Sequence, residues 1–300
     1  MANTIDYATI FQGALDTQMV QQSTSGWMEA NAGNVIYNGG KEVKIPKLLM
    51  DGLGNYDRAT GYPVGSYNFS YETMTMTQDR AKQFLLDNMD VNETNFALNA
   101  SSAMSGFQKE QVIPEVDAYR YSKIAQLATA KGAGYVSGGY TPTAADIYSK
   151  LKADIATVQD RIGAVPLIIS MTTMTKAMLE GSTEITRQLP IVDFVQGAIS
   201  SKLTAIDDCP IVTVPSIRFK TLYDFSDGRT TGQTAGGFKA DAAAKTINWI
   251  ISAQNSPIAV SKTDNVKIFT PDQVQDADGY KIDYRKYHDL WIPDNKMDGI

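Results

Sequence analysis

Histidine is the side chain that most often moves protons near neutral pH, and this 300-residue sequence has one, His288. It also has one cysteine, Cys209. A serine or cysteine hydrolase needs a base beside its nucleophile, so His288 is the sole candidate for that base. It stands in Tyr287-His288-Asp289, in a stretch that reads as a strand, where a packing or surface role fits better. Cys209 lies before Pro210 in an apolar run and reads as a small core residue. Alone it can make neither an intrachain disulfide nor a cysteine-rich metal site.

Three shorter motifs invite a chemical reading. Gly232 to Lys239 (GQTAGGFK) has the glycines of a phosphate loop. That loop needs lysine directly after its last glycine and a hydroxyl residue next, and Phe238 and Ala240 break both requirements. Asp276-Ala277-Asp278-Gly279 resembles part of a calcium loop, but aligning Gly279 to the turn puts Val274 and Arg285 where acidic ligands belong. Asp207-Asp208 fits a turn before the apolar strand Ile211–Val214 better than an acid-base pair, since neighbours in an extended chain point to opposite sides. Met74, Met76, Met171 and Met174 suit packing. The sequence therefore predicts no catalytic residue, no cofactor and no metal.

The remaining question is what the elements around these residues build. The chain is 43% hydrophobic and 20% charged, a globular balance. No apolar run approaches the ~18 residues of a membrane span, and Met1 to Tyr7 lack a signal peptide's pattern, which predicts a cytosolic product. The net charge of -6 disfavours a tight grip on nucleic acid.

Residues 1–34 are polar, with Ile10, Ala14, Leu15 and Met19 at helical spacing, and read as an arm ordered by neighbours. Val43 and Ile45 alternate with Lys44, and Tyr67, Phe69 and Tyr71 with Asn68 and Ser70, which predicts two strands. The glycine-punctuated stretch between them makes this a long hairpin with a large tip, too poor in aliphatic residues to pack both faces at home. Asp90 and Glu93 have capping-box spacing, and Phe96, Ala100, Ala103, Met104 and Phe107 form a helical stripe that resumes after Pro114 with Val116, Tyr119, Ile124, Leu127 and Ala128. Pro114 predicts a kink or break there. Thr141-Pro142 reads as the start of a helix with Ile147, Leu151, Ile155, Val158 and Ile162 on one face. Apolar runs at Val165–Ser170 and Ile211–Val214, with a helix at Thr172–Leu179, predict an α/β unit. Residues 226–237 read as an exposed loop, followed by short strands at Ile258–Val260, Val266–Phe269 and Asp289–Ile292.

Several segments carry a resemblance: Lys41-Glu42-Val43-Lys44-Ile45-Pro46, Gly54-Asn55-Tyr56-Asp57-Arg58, Thr77-Gln78-Asp79-Arg80, Asp87-Asn88-Met89-Asp90, Val112-Ile113-Pro114-Glu115-Val116-Asp117-Ala118-Tyr119-Arg120, Lys267-Ile268-Phe269-Thr270-Pro271 and Asn295-Lys296-Met297-Asp298-Gly299-Ile300. In this order they resemble the major capsid protein family of tailed bacteriophages, whose shell fold is the Hong Kong 97 type. The resemblance implies an α+β fold with an N-terminal arm (1–34), an extended β-hairpin loop (35–78), a peripheral domain with a long spine helix (79–140), an axial α/β domain (141–248) and strands returning to the peripheral domain (249–300). It also implies a structural, non-enzymatic subunit of an icosahedral head that encloses double-stranded DNA. Such subunits form hexamers and pentamers, with scaffolding, portal and decoration proteins as further partners, in a virion assembled in the host cytoplasm. Lys41, Lys44 and Lys47 lie where some members form an isopeptide cross-link. The type member's long charged scaffold segment has no counterpart at the start of this sequence. Contacts between subunits are expected at Tyr56, Arg58, Tyr62 and Tyr67 of the hairpin and at Trp27 of the arm. An encapsulin-like nanocompartment shell and a two-domain cytosolic enzyme are the alternative readings.

Overall fold

A computed structural model describes residues 23–37, 40–87, 104–182, 191–196, 199–274 and 279–300. The expected arm helix up to Met19 and the Asp90 to Ala103 part of the helical stripe lie outside these residues.

Among the described residues, four strands precede the long helix: β1 (Ile36–Tyr37), β2 (Glu42–Met50), β3 (Tyr67–Thr75) and β4 (Gln78–Asp87). The helical run is described from residue 104, passes through a π-turn (Gln108–Val112) and continues as α1 (Ile113–Lys131). Pro114 therefore does not break it. Proline lacks the N–H of a regular helical bond, and it falls in the first turn of α1, directly after the wider π-turn, where that donor is not needed. Gly132, at φ +129°, ends α1.

The next elements are α2 (Ile147–Ile162), β5 (Leu167–Thr172), α3 (Thr173–Glu180), β6 (Ile191–Gln196), β7 (Ile199–Ile206) and β8 (Cys209–Val214). They are followed by β9 (Tyr223–Phe225), β10 (Phe238–Ala240), β11 (Trp249–Ala253), β12 (Ile258–Phe269) and β13 (Gly279–Trp291). The start of α2 lies later than Thr141-Pro142 suggests. The Thr143 carbonyl accepts from the Ile147 N–H, while the Asp146 carboxylate accepts from the Thr143 N–H at 3.2 Å. The Thr143 hydroxyl donates to the same carboxylate, so Thr143 and Asp146 close a turn just before the helix.

One mixed sheet has the order β11-β5-β8-β7-β6, with β5 and β8 parallel. Every residue of β5 is buried, as a strand covered on both faces requires. Leu167, Ile169 and Met171 pack with Ile147, Leu151, Ile155 and Val158 of α2. Ile168 on the other face packs with Tyr121, Ile124 and Ala128 of α1. The upstream half of α1 serves a different layer, the antiparallel sheet β12-β13-β4, through Val112, Ile113 and Val116 against Val266, Ile282 and Tyr284. A fourth cluster joins Val43, Ile45 and Met76 at the hairpin root to Ile258, Val260, Tyr287 and Trp291.

Because α1 is wrapped from several sides, all of Val116 to Ser122 is buried, charged residues included. Asp117 accepts from the hydroxyls of Ser23, Thr24 and Ser25, from the N–H groups of Thr24 and Ser25, and from Arg218. Arg120 pairs with Glu29 and donates to Ser25. These contacts fasten a 3-10 segment, Gly26–Asn34, against the body. Arg80 on β4 pairs with Glu115 at 2.6 Å and donates to the carbonyls of Ser226 and Gly237, closing the 226–237 loop at both ends.

Asp207 and Asp208 join β7 to β8 at φ +48° and +62°. Two left-handed residues in a two-residue connection match the strand twist but strain any side chain. Replacing Asp208 with glycine should raise unfolding free energy by about 0.5–1 kcal/mol, read as a higher urea midpoint at unchanged m-value.

Candidate subunit-contact surface

The register of the β2–β3 hairpin decides which side chains share a face. Leu48 lies opposite Phe69, Met50 opposite Tyr67 and Pro46 opposite Tyr71. Directly opposed residues point the same way, so one face carries only apolar and aromatic side chains over its outer half. This face is open: Tyr67 is 70% and Met50 66% exposed, with Leu48, Phe69 and Tyr71 between about 40% and 52%. The Phe69 and Tyr71 rings meet edge to face at 5.0 Å.

The other face behaves differently along its length. Val43, Ile45 and Met74 meet the body at the root. Further out come Lys47, Ser70 and Asn68, with Leu49 exposed among them. Lys47 lies 3.8 Å from Asp294, and the Asp294 N–H donates to Glu72. The polar face thus turns toward its own chain and the apolar face away from it.

The tip is built rather than loose. The Asp51 N–H donates to the Ser66 carbonyl and the Ser66 N–H returns a bond to the Asp51 carboxylate at 2.7 Å; the Ser66 hydroxyl and then this N–H lower the Asp51 pKa. Asp57 bridges to Gly61 and accepts from the Ala59 N–H, and Gly61 takes φ +82°, open to glycine. This turn presents the exposed Arg58 between Tyr56 and Tyr62, whose rings touch at 5.0 Å.

Tyr56, Arg58, Tyr62 and Tyr67 are thus exposed on one element, and the first three share the tip. Trp27 is a correction. It is 4% exposed and packs with Met28, Tyr121, Phe219 and Leu290 in this chain's own core. The arm expectation missed that Ser23, Thr24 and Ser25 satisfy Asp117 and so bring Trp27 inside. Reading residues singly also missed Leu48, Met50 and Phe69. The alternation was visible, but only the pairing register sets them on one face.

The residues with chemical potential are placed elsewhere. His288 is 2% exposed in β13, its ring edge-on to Tyr119 at 5.5 Å, and its Nδ1 has no hydrogen-bond partner among the described residues. Burial, then the charges of Lys286, Arg120 and Arg80, hold its pKa well below the ordinary value. Cys209 is buried, and burial, then Asp207, pushes its thiol up. Gly232 to Lys239 runs into strand β10, so the loop lacks the helix N-terminus that a phosphate loop needs. Asp276 to Asp278 lie outside the described residues. Among the described residues no group of three His, Cys, Asp or Glu side chains could hold a metal, and no helix is long and apolar enough to cross a membrane.

No protein-family model matches the sequence, and no curated protein matches it either. Solved structures do. The chain is similar to one from the mature capsid asymmetric unit of bacteriophage PhiM1 (12% identity, 88% of this chain and 82% of that one, TM-score 0.55). It is equally similar to one from the capsid of cyanophage P-SCSP1u (10% identity, 88% and 83%, TM-score 0.55). A third likeness is to a structure titled for the head fiber and inner core protein of bacteriophage P68 (13% identity, 86% and 79%, TM-score 0.51). The mixed helix and strand fold of this chain is one found in phage capsid structures.

With one histidine, its titration can be isolated. Below about pH 6.5 an unfolded His288 binds a proton, whereas the folded one stays neutral. Stability is therefore complete above that pH and falls as the pH drops. Urea melts between pH 7.5 and 5 should show this decline in the wild type and its loss in His288→Gln. Equal slopes in both would reject the assignment. Glu29 and Asp79, both lowered, add a separate loss at more acid pH.

Proposed function

We propose that this chain is the major capsid subunit of a tailed bacteriophage, with the domain arrangement of the Hong Kong 97 type. The observation that carries the reading is the hairpin's outer apolar face, held open to solvent on a fold shared with phage capsid chains. A monomer gains nothing from a continuous aromatic strip in water. A subunit whose neighbour covers it gains hydrophobic burial at every copy.

On this reading, residues 35–78 form the extended loop, 79–140 and 249–300 the peripheral domain and 141–248 the axial domain. Residues 23–34 of the expected arm pack on the body. The work of the protein is association. Each subunit lays its hairpin across the next, a head-to-tail contact that closes into hexamers and pentamers. Many interfaces, each of ~1,000–2,000 Å², sum to a stable head. No step in this requires a catalytic residue or a cofactor. The net charge of -6 suits a wall that encloses DNA without binding its sequence. Scaffolding, portal and decoration proteins are the further partners, and the virion, assembled in the host cytoplasm, is the location. The nanocompartment alternative has less support, because the chains of like fold named above are from phages.

Negative-stain electron microscopy beside a sizing column tests the class. Recombinant protein should form shells, tubes or rings of five or six. Monomer at every concentration, with and without co-expressed scaffold, would count against the proposal. The contact surface has its own test. Leu48→Ser with Phe69→Ser, and separately Arg58→Ala with Tyr62→Ala, should leave Tm nearly unchanged, since these side chains are exposed. Both pairs should cut assembly yield at least tenfold. Unchanged yield and unchanged shell stability would remove that part of the hairpin from the interface.

A further inference from the structure

We infer that the joint between hairpin and body is a rigid lock, with Asp289 as the residue that positions the hairpin; this rests on the hairpin being the contact element. Met76 and Thr77 are the two residues between β3 and β4. A freely swinging hairpin would need loosely bonded, exposed backbone here. The opposite is found. Met76 is 2% exposed, its N–H donates to the Lys41 carbonyl at 2.9 Å, and its carbonyl accepts from the Tyr287 hydroxyl at 3.1 Å. The N–H and hydroxyl of Thr77 both donate to one oxygen of Asp289, at 2.8 and 2.9 Å. The other oxygen of Asp289 accepts from the Tyr119 hydroxyl on α1 at 2.6 Å and from the Leu290 N–H at 2.7 Å. Asp289 is fully buried.

The joint is thereby tied to the start of β2, to β13 and to α1. The Lys41 bond closes the hairpin's own root, and rotating the hairpin breaks the bonds to Tyr287 and Asp289 together. The arrangement also explains why a carboxylate stands at 289. Each of its oxygens faces a backbone N–H, and a carboxylate can only accept. An amide of the same shape sets an NH₂ against one of those N–H groups whichever way it is turned.

The test reads hairpin orientation directly. Spin labels on Ala59→Cys at the tip and Ala156→Cys on α2 occupy exposed positions, while Cys209 is buried and stays unlabelled. Double electron–electron resonance on the dilute full-length chain should give one narrow distance distribution. Asp289→Asn should at least double its width, and Thr77→Val should widen it less. Thr77→Ser, which keeps both donors, should match the wild type. Each sample is prepared well below its own Tm, so a residue that merely stabilises the fold would lower Tm and leave the width alone. Should Asp289→Asn not fold, Thr77→Val carries the test. A broad wild-type distribution, or an unchanged width in the folded variants, overturns the lock. Failure of the unlabelled wild type to assemble would defeat the shell reading while leaving these distances intact.

Discussion

A carboxylate withdrawn completely from water destabilises a protein unless its lone pairs are met, and the fold is arranged around meeting those of Asp117. The donors come from a distant part of the sequence, Ser23 to Ser25, and from Arg218. Bringing that segment to α1 seats Trp27 and Met28 beside Tyr121 and completes the core shared with the five-stranded sheet. The same helix, one turn on, holds Arg120 against Glu29. Removing one partner from such a buried set strands the other, so it serves to fix a unique arrangement more than to add net stability. α1 can then carry two sheets on its two halves, because its position is fixed independently of either.

The hairpin shows the complementary principle. At the root its inner face is apolar and its body contact dry, through Val43, Ile45 and Met76. Beyond Ile45 the inner face becomes polar and the outer face apolar. A strand that packed only on its own chain would keep its apolar residues on one side throughout. The change of side along β2 and β3 therefore records two different neighbours, one supplied by the chain itself.

What could be read from the sequence follows the same physics. Ile147, Leu151, Ile155 and Val158 are buried as their spacing requires, because an amphipathic helix announces its face by period alone. Thr172 caps α3 by accepting from Thr175, another local signal. The long strands β12 and β13 were legible only at their apolar ends. Ser261 to Asp264 lie half-buried in the middle of β12, paired to β13 through a bulge, and that contact is set by the partner strand. Trp27 failed for a similar reason, since the residue that buries it is 90 positions away. The site was half legible. Tyr56, Arg58, Tyr62 and Tyr67 stood out by type, whereas the strip formed by Leu48, Met50 and Phe69 exists only once the register is known.

An exposed apolar strand carries a risk, because it can recruit copies without limit. Charge and proline temper it here, with Lys44, Lys47 and Glu72 along the ribbon and Pro46 in β2. They cannot decide whether head-to-tail contacts close or run on, since that depends on the angle between successive copies. A hairpin on a loose joint samples many angles and favours open, irregular growth. One whose joint is bonded to β13, and through Asp289 to α1, presents its apolar face at a nearly fixed angle. The buried carboxylate at the root is then as much a part of the assembly surface as the aromatic rings at its outer end.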